Sequence, residues 1–116
     1  MARDLPALQA AIRDFARERD WDQFHSPKNL SAALAVEAAE LLEHFQWLTE
    51  EQSHALPNDR LEKIAHELAD VLIYTLQLAG KLDIDPLQAS WDKLRINGEK
   101  YPVDRAKGKM TKYTDL

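Results

Sequence analysis

The chain has 116 residues, 45% of them hydrophobic, and a formal net charge of −5 that is unevenly spread: residues 1–92 carry a net charge of −9 and residues 93–112 one of +5. This acidic body argues against a protein that binds nucleic acid polymers, and no apolar run approaches the roughly 20 residues that span a membrane. The length fits a single domain, and the absence of cysteine excludes disulfides and thiolate metal sites, so we expect a cytoplasmic protein.

The first half of the chain predicts two helices and no strand. One helix covers about residues 4–19 with Asp4 as its cap, and the second begins with Ser26 as cap and Pro27 as first helical residue. The second helix is expected to end near Trp47. A capping-box pattern at residues 49–52 (TEEQ) then predicts a short helical turn.

The second half predicts two more helices, which makes the fold class all-α with a four-helix protomer. Asn58 or Asp59 is expected to cap a third helix that ends at about Gly80. A fourth helix, with Asp85 as cap and Pro86 as first helical residue, covers about residues 86–99, and residues 102–116 form a basic, irregular tail. We expect one domain over residues 1–116, whose exposed apolar face assembles it into a helical-bundle homodimer or homotetramer.

Two acidic pairs occupy matching positions on the second and third predicted helices. Glu37 and Glu40 are three residues apart and share one face, as do Glu67 and Asp70. Counted from the turn between the helices at about 1.5 Å per residue, the pairs lie at nearly the same height in an antiparallel hairpin. Four carboxylates that face one another must bind cations or retain protons. The oxygen-only donor set predicts Mg²⁺, Mn²⁺ or Ca²⁺ rather than zinc.

An alternative interpretation treats these acids as surface groups that pair with Lys63 or Arg60, as single exposed glutamates usually do. Two matched pairs among Ala, Leu and Val favour the metal site. Glu43 follows Glu40 by three residues and turns further round the helix, so we expect it to lie outside the site.

The sequence around the acids resembles the MazG-like, all-α nucleoside triphosphate pyrophosphatase superfamily. Glu-x-x-Glu separated by 26 residues from Glu-x-x-Asp is similar to its metal motif, and RDWDQFHSPKNL, EAAELLEHFQW, ELADVLIYTLQLA and NGEKYPV look like its dCTP pyrophosphatase branch. The resemblance covers about residues 8–115. It implies an enzyme that uses Mg²⁺, or alternatively Mn²⁺, to hydrolyse a dNTP to dNMP and pyrophosphate. The implied substrate is dCTP or a modified cytosine nucleotide.

The resemblance also implies roles for individual side chains, carried over by position. The implied catalytic metal ligands are Glu37, Glu40, Glu67 and Asp70. The implied nucleoside-binding residues are Trp21, His25 and Trp47 around the base and Tyr74 near the sugar. The implied phosphate-binding residues are Lys28, Lys93, Asn97 and Lys100, with Tyr101 close by.

The residues themselves leave several of these roles open. Trp47 and Tyr74 lie on the metal faces of their helices, where an aromatic ring stacks on a base or simply belongs to the core. His25 binds a ligand or titrates on the surface. The basic stripe of the fourth helix is also typical of a solvated face. Two rival functions remain: a non-catalytic regulatory dimer that uses HFQWLTEEQ as its interface, and the same fold acting on another nucleotide such as dUTP.

Overall fold

The computed structural model describes residues 3–116 and contains helices without strands in that range. The six α-helices are α1 (Leu5–Glu18), α2 (Pro27–Glu43), α3 (Glu50–Ser53), α4 (Asn58–Lys81), α5 (Pro86–Lys100) and α6 (Val103–Ala106). The chain divides into two compact units, the first ending at Asp83 and the second spanning Ile84–Leu116. The all-α prediction is confirmed. The helix count is six rather than four, because α3 and α6 add one short turn each.

Three of the long helices begin at the caps that the sequence predicts. The Asp4 side chain accepts a hydrogen bond from the third helical residue of α1, and Ser26 does the same for α2. Asp85 accepts two such bonds at the start of α5. Each of these three helices has proline in its first turn, where a missing N–H costs nothing. Thr49 and Gln52 form the complete capping box of α3.

The predicted cap of α4 is wrong, and the helix ends one residue beyond the predicted Gly80. The helix already includes Asn58, and its cap residue is Pro57, which offers no side-chain hydrogen bond. At the other end Gly80 lies inside the helix, which continues to Lys81. The left-handed conformation after the helix is adopted by Asp83, at φ 55°. Aspartate tolerates this conformation better than most side chains, so the expected glycine is not needed.

The turn after α2 comes earlier than the sequence predicts. The helix ends at Glu43 rather than near Trp47, and residues 44–47 form turns. The Arg60 guanidinium of α4 donates a hydrogen bond of 3.2 Å to the His44 carbonyl, which ties the first turns of α4 to this segment. Arg60 therefore stabilises the hairpin that positions α2 against α4.

The first unit is built around α4, against which both α2 and α1 pack. Its buried apolar side chains come from these three helices and are Ala16, Leu30, Ile64, Leu76 and Ala79. This core is small for a unit of its length, and large apolar side chains of α2 and α4 stay exposed, Val36 and Leu68 among them. Exposed apolar area of this kind usually marks association.

The second unit contains α5, α6 and a final 3₁₀ turn, Tyr113–Asp115. The tail expected to be irregular thus has local structure. Tyr113 packs edge-to-face against Tyr101, with ring centroids 5.9 Å apart, and the Lys100 ammonium lies 4.7 Å from the Tyr113 ring centroid. Across residues 3–116, no helix combines the length and hydrophobicity that crossing a bilayer requires.

Candidate metal centre and adjoining cavity

Three carboxylates from two helices converge in the first unit. Glu37 of α2 and Glu67 and Asp70 of α4 each offer one oxygen, and these oxygens lie within 4.8 Å of one another. The three-residue spacing puts Glu67 and Asp70 on one face of α4. Packing of α2 along α4 brings Glu37 to that face. The hairpin geometry expected from the sequence therefore places these three side chains together.

The fourth acid of the motif, Glu40, lies beside this group. Its carboxyl helps to raise the pKa of Glu37, although its oxygens are not among the three that converge. Glu43 is exposed and takes no part in the cluster. Glu37, Glu40, Glu67 and Asp70 are called the acidic cluster from here on.

The surroundings of Glu37 in the acidic cluster raise its pKa from 4.5 to about 7. Burial is the largest cause, because it penalises the charged form. The neighbouring Glu40 carboxyl adds a hydrogen bond to the protonated form and like-charge repulsion of the ionised one, and Asp70 and Glu67 act in the same direction. Without a cation, Glu37 therefore holds a proton near neutral pH.

Two oxygens of the acidic cluster have no hydrogen-bond donor among the residues that the structure describes. Glu37 Oε2 and Glu67 Oε2 are both buried and unpartnered. Within residues 3–116 no basic side chain forms an ion pair with the acidic cluster, so the alternative of acids paired with Lys63 or Arg60 does not occur. A buried acceptor without a donor is costly. A group of carboxylate oxygens that lack hydrogen-bond donors fits the ligand preference of a hard divalent cation.

A cavity of about 410 Å³ adjoins the acidic cluster. Side chains of α1, of the connector after it and of α4 line this cavity, and they include Ile12, Phe15, Trp21, His25, Asp70, Tyr74 and Gln77. Asp70 belongs to both the acidic cluster and the cavity, so the two are continuous. The Trp21 ring packs edge-to-face on Phe15, with centroids 5.7 Å apart. A group bound at the acidic cluster can therefore extend into an aromatic, partly polar pocket.

The structure brings some of the other predicted site residues together and leaves others apart. Trp21, His25 and Tyr74 meet in the cavity beside Asp70. Trp47 is 86% exposed and lines neither this cavity nor a smaller neighbouring one.

The predicted phosphate-binding residues lie elsewhere on the chain. Lys28 lies in the first turn of α2 and is exposed. Lys93, Asn97 and Lys100 occupy one face of α5 in the second unit, where Lys100 and Tyr101 contact Tyr113.

Several cavity residues were missed by the sequence prediction. Ile12 and Phe15 belong to the apolar stripe of α1, a pattern that indicates a core face and carries no sign of a pocket. Gln77 follows Tyr74 by three residues and Asp70 by seven, so it lies on the same face of α4. That spacing was a usable signal, because it extends the stripe of site residues by one more turn.

Comparisons with known proteins agree with this arrangement. A profile of the MazG-like family matches residues 32–116. Similar curated proteins include dCTP pyrophosphatase 1 from Mus musculus, 46% identical over 115 residues, and dCTP pyrophosphatase 1 from Homo sapiens, 43% identical over 115 residues. Each alignment covers 97% of this chain, and the chain spans 66% of the length of these relatives. A solved pyrophosphatase from Archaeoglobus fulgidus DSM 4304 superposes with a TM-score of 0.82 at 36% identity, covering 88% of this chain and 95% of that one.

Proposed function

Because the chain belongs to the MazG-like family, we propose that it is a Mg²⁺-dependent nucleoside triphosphate pyrophosphohydrolase, which converts a dNTP and water to dNMP and pyrophosphate. The proposed substrate is dCTP or a modified cytosine nucleotide, after the activity in the name of its curated relatives. The observation that carries the proposal is the continuity of the acidic cluster with the aromatic cavity through Asp70.

The acidic cluster is the proposed metal-binding and catalytic group. A bound Mg²⁺, or alternatively Mn²⁺, would offset the charge of the triphosphate and orient a water for attack on phosphorus. The unpartnered Oε2 atoms of Glu37 and Glu67 are available as ligands, with Asp70 and Glu40 beside them. A carboxylate of this group would accept the proton released by the attacking water.

The cavity is the proposed nucleoside pocket. Its volume of about 410 Å³ lies in the range typical of small-molecule sites. Trp21 offers a ring for stacking on a base, and His25 offers ring nitrogens for hydrogen bonds. Tyr74 follows Asp70 by four residues on the same face of α4, where the sugar would sit. Since Trp47 is 86% exposed and lines neither of the two cavities, we assign its proposed contact with the base to the assembled protein.

Cationic side chains would complement the triphosphate, which the acidic cluster alone repels. The proposed phosphate-binding residues are Lys28, Lys93, Asn97, Lys100 and Tyr101. Their assignment rests on the family resemblance and on the basic character of the chain from residue 93 onward. Substitution of Lys93 or Lys100 by methionine should raise KM for the triphosphate by a larger factor than it raises Ki for dNMP as a competitive inhibitor.

The wider proposal is a single pyrophosphohydrolase domain that acts in the cytoplasm as a homodimer or homotetramer. The family profile spans parts of both compact units, which supports one functional domain. The small core and the exposed apolar side chains of α2 and α4 support assembly. The negative net charge argues against nucleic acid polymers and anionic membrane surfaces as partners.

The decisive experiment incubates the protein with a panel of dNTPs and Mg²⁺ and resolves the products. We expect dNMP and pyrophosphate, with dCTP among the preferred substrates, and a loss of at least about 100-fold in kcat for Glu40→Gln. Glu43→Gln is the matched control, since Glu43 lies on the same helix outside the acidic cluster. Release of orthophosphate with a nucleoside diphosphate, or full activity of Glu40→Gln, would refute the proposal.

A further inference from the structure

A second, smaller cavity of about 180 Å³ lies next to the nucleoside pocket. The two cavities share three lining residues, Ile12, His25 and Gln77, which therefore form the wall between them. Of the three, Ile12 has no polar side-chain atom. His25 and Gln77 are thus the hydrogen-bonding side chains of this wall.

The position of Gln77 on α4 matches the direction in which a bound nucleotide would extend. Asp70, Tyr74 and Gln77 all line the same cavity. Asp70 and Gln77 are seven residues apart, which is about 10 Å along the helix axis. A nucleotide whose phosphates lie at the acidic cluster would therefore carry its base towards Gln77, past Tyr74.

The Gln77 amide is available for a ligand. It is partly buried, and it takes part in none of the side-chain hydrogen bonds formed among residues 3–116. A primary amide offers an acceptor and a donor side by side. Cytosine presents an amino donor at C4, whereas uracil and thymine present a carbonyl acceptor there. Either edge is matched by one of the two amide orientations.

We propose that Gln77 is a substrate-binding residue whose side-chain amide hydrogen-bonds the polar edge of a pyrimidine base, a role that rests on the proposed function of the same site. Among residues 3–116 no side-chain hydrogen bond fixes the orientation of the amide, so this contact serves cytosine and uracil alike. Other groups must then discriminate between the two bases. His25 is the other polar side chain on the shared wall.

The test compares kcat/KM for dCTP and dUTP in the wild type and in three variants. Gln77→Leu keeps the size but removes both hydrogen-bonding atoms, and should lower kcat/KM for both substrates by about 5- to 100-fold. Gln77→Glu keeps an acceptor and loses the donor, so it should raise the dCTP to dUTP ratio by about tenfold. Gln9→Leu is the matched control, because Gln9 is a partly buried glutamine that lines only the smaller cavity.

A second measurement separates this inference from the proposed function. Binding of dCMP is measured by calorimetry in EDTA, where hydrolysis is not needed, with melting temperatures to verify folding. Weaker dCMP binding by Gln77→Leu in a protein that hydrolyses no nucleotide would support the inference and refute the pyrophosphohydrolase. An active enzyme whose kcat/KM and dCTP to dUTP ratio are unchanged in both Gln77 variants would overturn the inference alone. Absence of both hydrolysis and dCMP binding in the wild type would overturn both.

Discussion

Glu37 and Glu67 come from different helices, yet a carboxylate oxygen of one lies within 4.8 Å of a carboxylate oxygen of the other. Each also buries an Oε2 atom that accepts no hydrogen bond from residues 3–116. Such an arrangement is unfavourable when both groups are ionised, because neither charge has a partner. The first unit therefore retains a proton at Glu37 or binds a cation. The free energy of unfolding of this unit should therefore depend on the pH and on the concentration of the cation.

We expect the metal-free protein to lose stability as the pH rises from 4.5 to about 7. The pKa of Glu37 is raised from 4.5 to about 7 in the folded state, so in this window the folded state binds more protons than the unfolded state. The free energy of unfolding then falls with increasing pH. Denaturant titrations in EDTA between pH 4.5 and 8 measure how the free energy of unfolding changes with pH. The difference between the wild type and Glu37→Gln isolates this group, and a difference that does not change across the window would contradict the assignment.

Substitution of Glu67 separates metal binding from folding. Glu67→Gln removes one charge from the acidic cluster and adds an amide donor, so we expect the metal-free protein at pH 8 to gain about 1 kcal/mol in its free energy of unfolding. The same change removes a metal ligand, so the rise in melting temperature on adding Mg²⁺ should disappear. Glu62→Gln, an exposed substitution on the same helix, is the control and should change neither. A Mg²⁺ response that persists in Glu67→Gln would exclude Glu67 as a ligand.

The acidic cluster could be predicted because it depends on local rules. A spacing of three residues fixes which side chains share a helix face, and two such pairs on the two long helices of a hairpin are brought together once the hairpin forms. The caps at Ser26 and Asp85 are equally local, and the structure has both.

Features that depend on tertiary packing could not be predicted from local sequence patterns. Arg60 bonds the His44 carbonyl instead of a carboxylate, because the turn after α2 comes earlier than periodicity suggests. Ile12 and Phe15 line a cavity although their pattern is that of a core face, since only the packing of α1 against α4 decides which part of that face is filled.

Trp21 should contribute more to nucleotide affinity than its neighbour Phe24. Trp21 lines the nucleoside pocket and is held by Phe15, whereas Phe24 is exposed and lines neither cavity. Stacking of a base on an aromatic side chain is worth about 1–3 kcal/mol, so Trp21→Ala should raise KM for dCTP by about 10- to 100-fold with a smaller change in kcat. Phe24→Ala is the control. Equal KM values for the two variants would place the base elsewhere.

The exposed apolar face of α4 should hold copies of the chain together. Leu61, Leu68 and Leu72 lie on one side of the helix and are each about half exposed. We expect light scattering at micromolar concentration to show a dimer or tetramer for the wild type, and Leu68→Glu to shift it towards monomer, because a charge on such a face disfavours burial. Met110→Glu, a substitution at a fully exposed position in the tail, should leave the assembly intact. A wild type that is monomeric under these conditions would contradict the prediction.

The monomeric variant also distinguishes the metal centre from the complete active site. Leu68 belongs neither to the acidic cluster nor to the nucleoside pocket, so Leu68→Glu should keep a rise in melting temperature on adding Mg²⁺. Its hydrolysis of dCTP should nevertheless fall, because Trp47 is 86% exposed in the single chain and we assign its contact with the base to the assembled protein. Dilution of the wild type should lower its specific activity for the same reason. Full activity in a monomer would show that one chain suffices and that Trp47 takes no part.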